Sequence, residues 1–423
     1  MSSSQTPLQT YDTEILIIGA GLVGSSVAMH LAQQGAGNIR VIDVDLEGTL
    51  SSSELNAGGV RATWSQPLNI LTSKISIEYF ASVAEDVGYR PCGYTWLHTP
   101  ESLPRALKAR EKQRDLGWEV EAWDLAELQK QIPFIDKVDD LAGALFAPKD
   151  GLVNPNLLKN HFRAKARSLG VIFDDRTWLR SAEHSNSGIE LKCEKYEADL
   201  GSDQKNQVLT GEAKIQASPI YKDPSQVSYQ AKRVINCAGA WAAKVALILG
   251  YGSPAFAVRR QVAIFDSRDI DLTPYGMIVD TSGVYFHPEA SNGLAGIAER
   301  DEPLGYNFNY DGESYFQEKI WPALYERSSK FERLRHLTGW AGLYEVSPDE
   351  SAIIGEVESG EFKATGRVFE CHSFSGHGVM HSYAAGQALA EKMVKGRYES
   401  LDLSRLSGKR FEDGLSMHET LVI

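Results

Sequence analysis

The chain has 423 residues, 43% hydrophobic and 23% charged, with a formal net charge of −13. That length suggests about two domains, and the acidic balance, with no block of Lys or Arg, argues against a nucleic-acid partner. Cys92, Cys193, Cys237 and Cys371 form no C-x-x-C pair, which argues against a zinc site and a disulfide scaffold and for a reducing, cytoplasmic setting.

Met1 to Tyr11 lacks the basic-then-apolar order of a secretion signal. Glu14 to Ala32 approaches membrane-span length, but three glycines and a turn interrupt it, so no transmembrane segment is expected. Glu14-Ile15-Leu16-Ile17-Ile18 is instead a short apolar run ending in glycine, as in a buried parallel strand. Leu22 to Gln33 carries Val23, Val27, Ala28 and Leu31 at helical spacing, and Gly35 and Gly37 close it. Ile39-Arg40-Val41-Ile42 reads as a second strand with Asp43 at its end.

Between the first strand and the helix stands Gly19-Ala20-Gly21-Leu22-Val23-Gly24, a G-x-G-x-x-G. Gly19 allows the tight turn, Gly21 lets the backbone approach a pyrophosphate, and Gly24 lets helix and strand pack closely. The helix N-terminus adds partial positive charge. Asp43, 24 residues after Gly19, can accept the hydroxyls of an adenosine ribose. Strand, motif, helix, strand and acid in this order predict a dinucleotide site. Asp43-Val44-Asp45 offers no Arg for a 2′-phosphate, which disfavours NADP.

Arg105 to Glu121 reads as an exposed charged helix, Leu125 to Gln131 as a shorter one, and Asn156 to Leu169 as a third after the turn Asp150 to Pro155. Val171 to Phe173 reads as a strand. Residues 181 to 230 alternate in short pieces, as in a β-meander with long exposed turns. Arg233 to Trp241 is an apolar strand entering Ala238-Gly239-Ala240. Gln261 to Phe265 and Gly283 to Phe286 read as strands of a second sheet, and His381 to Lys395 as an Ala-rich helix.

A flavin ring needs distant segments to hold it, and three small-residue segments are candidates. They are Ser51 to Arg61, including Ser52, Ser53, Asn56, Ala57, Gly58 and Gly59; Val234 to Trp241, including Cys237, Ala238, Gly239 and Trp241; and Phe374 to Met380, including Ser375, Gly376, His377, Gly378 and Val379. With Trp340-Ala341-Gly342-Leu343-Tyr344, Ser347-Pro348-Asp349-Glu350 and Ile354-Gly355, they resemble the FAD-dependent superfamily of the D-amino-acid-oxidase type. That superfamily includes sarcosine oxidase, dimethylglycine dehydrogenase and glycine oxidase. Asp280 to Phe286, Tyr315 to Pro322 and the tail Gly396 to Phe411 resemble its branch linked to assembly of mitochondrial complex I.

The resemblance implies an α/β and α+β architecture. A Rossmann-like FAD-binding domain would comprise residues 1–90, 150–250 and 336–423, with a mainly antiparallel-sheet substrate domain from 91–149 and 251–335. It also implies cofactor contacts at Leu22, Val23, Val44, Leu179, Gly342, Leu343 and Met380. The ring would lie between the two domains, with the last helix directing its N-terminal dipole there.

The chain also departs from its relatives. Gly342 stands where sarcosine oxidase has a flavin-linked cysteine, and Asn56 where dimethylglycine dehydrogenase has a flavin-linked histidine, so FAD is expected to be non-covalent. Tyr344 replaces the arginine that clamps the substrate carboxylate in glycine oxidase, and Met380 replaces a lysine of sarcosine oxidase. Arg61, Arg259 and Arg260 remain as cations for that role. Tyr344, Arg61, Tyr285 and His287 are the candidate catalytic residues; no metal is expected. Leu294 falls at the lysine that promotes oxygen reaction in sarcosine oxidase, and Ala298 at a nearby histidine.

The implied activity is oxidation of the C–N bond of an amine or amino acid, with oxygen, a quinone or an electron-carrier protein as acceptor. A flavin-binding assembly factor with little turnover is the alternative.

Overall fold

The computed structural model describes residues 9–196, 224–299, 301–359, 362 and 365–421. The fold is mixed α/β, built on two eight-stranded sheets. In the first, β1 (Gln9–Ile18) runs parallel between β2 (Ile39–Ile42) and β3 (Ser225–Asn236). Ile172–Asp174 extends the parallel sheet beyond β2, and Val368–His372 beyond β3. β1 starts earlier than its apolar run suggests because Gln9 to Thr13 pair with Val227 to Ala231. Ile15, Leu16 and Ile17 are fully buried and Ile18 nearly so, the burial on both faces that parallel strands acquire under helices.

The helices follow from local signals. α1 (Leu22–Gln33) leaves β1 through Gly19, whose φ of +102° suits glycine. A Cβ on Gly24 would run into the Gly19 carbonyl, so glycine at position 24 permits the close packing of turn and helix. α2 (Pro155–Ser168) is capped by the Asn154 side chain, which accepts from the amides of Asn156 and Leu157, and Pro155 occupies the first turn. The Ala-rich α3 spans Gly378–Lys395, one turn longer at its start than the expected His381.

Two further differences have physical causes. The charged helix ends at Asp115 rather than Glu121, because Gly117 turns the chain at φ +79° and Trp118 enters the core; Glu121–Trp123 is then a strand. The helix Pro67–Ser82 was not anticipated. Its inward face carries Asn69, Thr72, Ser73 and Ser76 beside Ile70, Ile77 and Phe80, which masks the apolar period. Ser76 Oγ accepts from the Ala384 amide and ties this helix to α3. Thr177–Ser185 and Gly188–Lys195 form a hairpin against β3; the turns expected between residues 197 and 223 lie outside the described residues.

The second sheet is antiparallel except where Met277–Val279 meets Tyr94–His98. Its order begins with β6 (Arg335–Val346), β4 (Phe256–Asp266), Asn292–Gly296 and β5 (Tyr285–Glu289). The expected boundary at residue 336 assigns β6 to the cofactor part, yet β6 pairs with β4 along its length, from Val346–Phe256 to Arg335–Asp266. One face of this sheet buries Phe265, Phe286 and Ala295 with Phe316 and Phe331. By strand alternation the opposite face carries Arg260, Val262, Tyr285 and Tyr344.

Candidate active site

Two adjoining open hollows, of about 1100 and 1370 Å³, lie between the sheets and share Leu22, Val23, Ser52, Ser53 and Glu345.

The larger hollow lies at the C-terminal ends of β1 and β2. Gly19, Gly21, Asp43, Val44, Leu179, Cys237, Ala238, Gly239 and Trp241 line it. Asp43 Oδ2 accepts from the Ala20 amide at 2.5 Å and Oδ1 from the Asp45 amide at 2.9 Å. The acid therefore holds the glycine turn as well as facing the hollow. Burial pushes its pKa up, offset in part by these amides. Arg163 of α2 donates to the carbonyls of Ala20 at 2.6 Å and Leu46 at 2.8 Å, and its charge acts on Asp43. Nothing in the local sequence signalled Arg163, which lies more than a hundred residues along the chain.

The second hollow is lined by Asn56, Ala57, Gly59, Arg61, Tyr285, Gly342, Leu343, Tyr344, Gly376, His377, Gly378, Val379 and Met380, and also by Trp64, Tyr94, Arg260 and Met277. Because α3 starts at Gly378, its N-terminal dipole opens directly here. Ser52 Oγ donates to the Leu343 carbonyl at 2.6 Å and Ser53 Oγ accepts from the Leu22 amide at 2.9 Å, joining the Ser-rich segment to both sides.

Gly24, Gly58, Ser375 and His287 line neither hollow. Gly24 packs the turn, and Gly58 donates its amide to the Asn56 side chain at 2.6 Å. Ser375 fastens the loop to β6, its amide bonding the Glu345 carbonyl and its Oγ the Ser347 amide. His287 shares the face of Tyr285 but sits two residues, roughly 7 Å, further along β5. It is buried, Nδ1 bonds the Pro288 carbonyl at 2.8 Å, and burial holds its pKa down to about 4.

Arg61 is 2% exposed. Its guanidinium lies 3.4 Å from the Trp64 ring and 4.8 Å from that of Trp96, and it donates to the carbonyls of Thr63 and Leu421. Burial lowers its pKa to about 10, so it stays cationic at neutral pH. Arg260 stands 5.3 Å from the Tyr344 ring and bonds the Arg259 carbonyl. Among the described residues neither arginine has a carboxylate within 4.0 Å, whereas Arg259 is committed to Glu302 and Asp311. Register explains the pair: Arg260 faces Gly342, so Tyr344 is its diagonal neighbour.

Two further residues complete the chemistry. Glu345 lines both hollows with Oε2 unpartnered, and burial pushes its pKa up. The His377 ring lies 4.0 Å from that of Trp64, tilted 57° to it, with both ring nitrogens unpartnered; burial, His381 and Arg61 hold it neutral. The long hollow with an acid and a glycine turn at one end, a helix N-terminus at the other and an unpaired acceptor between suits FAD. The adenosine would lie by Asp43, the hydroxyl-bearing linker by Glu345 and the ring by Gly376 to Met380. Among the described residues no helix is long and apolar enough to cross a membrane.

Comparison with known proteins agrees with this geometry. FAD-dependent oxidoreductase domain-containing protein 1 of Xenopus laevis is 29% identical over 437 residues, covering 94% of this chain and 82% of the relative. The structure of L-proline dehydrogenase from P. horikoshii superposes with a TM-score of 0.79 at 22% identity, covering 97% of this chain and all of that one. Glycine oxidase from Geobacillus kaustophilus gives 0.74 at 19% identity, over 95% and 99% of the two chains. The family model for FAD dependent oxidoreductases, DAO, matches residues 14–392. With the glycine turn, Asp43 and the ring-side hollow all inside that match, the chain belongs to the DAO family of FAD-dependent oxidoreductases.

Proposed function

We propose that this protein oxidises the C–N bond of a small amine or amino acid that carries a carboxylate. The observation that carries the reading is the pair of arginines, Arg61 and Arg260, that line the ring-side hollow, neither in an ion pair with a carboxylate within 4.0 Å among the described residues; Asp150 and Glu419 act on Arg61 only from further off. An unpaired cation in such a place is stabilised by an anionic ligand. Bound FAD supplies the acceptor for the hydride leaving the carbon next to nitrogen, and water hydrolyses the resulting imine.

The residues of the chain bind and orient. Arg61 and Arg260 hold the carboxylate, and the Tyr344 and Tyr285 hydroxyls orient the amine. The same two cations, with burial, disfavour an ammonium, so the substrate is held as the reactive neutral amine. The names of relatives, L-proline dehydrogenase and glycine oxidase among them, support the substrate class. Anaerobic addition of N-methyl amino acids, proline or D-amino acids should bleach the flavin band. If none does, the alternative of an assembly factor with little turnover takes its place.

FAD is held without a covalent bond, since Gly342 and Asn56 offer no nucleophile. Acid precipitation should leave the yellow colour in the supernatant; flavin fluorescence on the denatured polypeptide would refute this.

The acceptor is a quinone or carrier protein rather than oxygen. Leu294 lies on the Tyr285 face, paired with His287, and no lysine occurs from Thr281 to Arg300. Arg300 lies outside the described residues. Flavin reduced anaerobically and mixed with aerated buffer should therefore reoxidise far more slowly than substrate turns over. Equal rates with stoichiometric hydrogen peroxide would make it an oxidase, and Arg260 the cation to replace next.

A further inference from the structure

Next to Arg61 a further open groove runs between the helix Leu103–Asp115, the strand Tyr94–His98 and Thr420–Leu421. Arg105, Lys108 and Lys112 line it, all three exposed. Spaced by three and four positions, they stand on one helix face over about 10 Å. Among the described residues no carboxylate lies within 4.0 Å of any of them. Asp280, the acid in the groove, is committed to the buried Arg327 at 2.5 Å. On a chain of net charge −13 this strip reverses the local sign. The wall adds His98, 8% exposed, with Nδ1 3.3 Å from Ser102 Oγ and Nε2 unpartnered.

Arg61 lines the hollow and touches residues of the groove. Its guanidinium lies 4.8 Å from the ring of Trp96, which lines the groove, and 3.4 Å from that of Trp64, which lines the hollow. Leu421, which also lines the groove, accepts from Arg61 Nη2. We propose that the groove is an outer binding site for small carboxylates, which pass to the hollow when Leu421 leaves Arg61. A carboxylate is the stronger acceptor for a guanidinium than a carbonyl, so the arriving anion can take Leu421's place. The basic strip raises the local anion concentration at the mouth, an effect that salt screens. The natural occupant rests on the proposed substrate class; the anion site itself does not.

The test therefore uses no substrate. Fluorescence of the bound flavin in the holoprotein is quenched with iodide, an anion, and with neutral acrylamide. At low salt the Arg105→Glu, Lys108→Glu double variant should lower the iodide quenching constant about threefold or more, leaving acrylamide unchanged. A matched pair, Lys192→Glu with Lys232→Glu, lines neither groove nor hollow and should leave iodide quenching unchanged. Ending the chain after Glu419 should raise quenching by both agents; Leu421→Gly, loosening the same carbonyl, serves if the shortened chain does not fold. Iodide quenching that is unchanged in the groove variant, or falls equally in the matched pair, overturns the outer site. No rise on loosening Leu421 overturns the passage. A correct quenching pattern with no bleaching by any amine would reject the substrate class and leave the groove standing.

Discussion

Replacing Asp43 with alanine should raise the dissociation constant of FAD by one to two orders of magnitude while the secondary structure stays intact. Asp43 meets the larger hollow at the end of β2, where the ribose hydroxyls of a dinucleotide can donate to it. A hydrogen bond to a charged group contributes about 1.5–3 kcal/mol, and each ~1.4 kcal/mol is tenfold in affinity. The carboxylate also holds the Ala20 and Asp45 amides, so alanine both removes the ribose contact and loosens the turn. Asp43→Asn, which keeps one acceptor, should fall between. Burial raises the pKa of this acid and only its ionised form accepts two hydroxyls. FAD affinity should therefore drop on acidification sooner than for an ordinary aspartate. Titration with FAD followed by flavin fluorescence, with far-ultraviolet circular dichroism, reads both quantities. An unchanged dissociation constant would place the ribose elsewhere.

What the sequence made legible was local. β2, α1 and the glycine turn follow from consecutive residues whose spacing and order carry the signal, and the structure gives α1 and β2 the expected bounds. Tyr344 and Gly376 were found through motifs, and both line the ring-side hollow. What escaped depends on contacts between distant segments. Arg163 reaches the Ala20 carbonyl from α2, and no spacing rule links the two. The helix Pro67–Ser82 hides its period behind buried serines and threonines. His287 follows Tyr285 at the correct alternation, yet a strand advances far enough in two residues to leave the hollow behind. Glu345 sits beside Tyr344 in the same block, but its importance appears only where the two hollows meet.

Arg61→Met should raise the concentration of a carboxylate-bearing substrate needed for flavin reduction about 10- to 150-fold, with the limiting rate changed by less than a few-fold. That range corresponds to ~1.5–3 kcal/mol for a hydrogen bond to a charged group, felt in binding rather than in the hydride step. Methionine keeps most of the length and can still pack against Trp64 and Trp96, whose rings lie 3.4 and 4.8 Å from the guanidinium. The variant nevertheless leaves the Thr63 and Leu421 carbonyls without their donor, so a loss of stability of about 1–3 kcal/mol is expected. Thermal unfolding measures that loss separately from binding. An amine with no carboxylate supplies the internal control, since its reduction kinetics should be nearly indifferent to the substitution. Arg61→Lys keeps the charge but not the paired donors, and should recover part of the affinity. If the limiting rate alone falls, Arg61 acts on the flavin, and Arg260, the other uncommitted cation of the hollow, becomes the clamp.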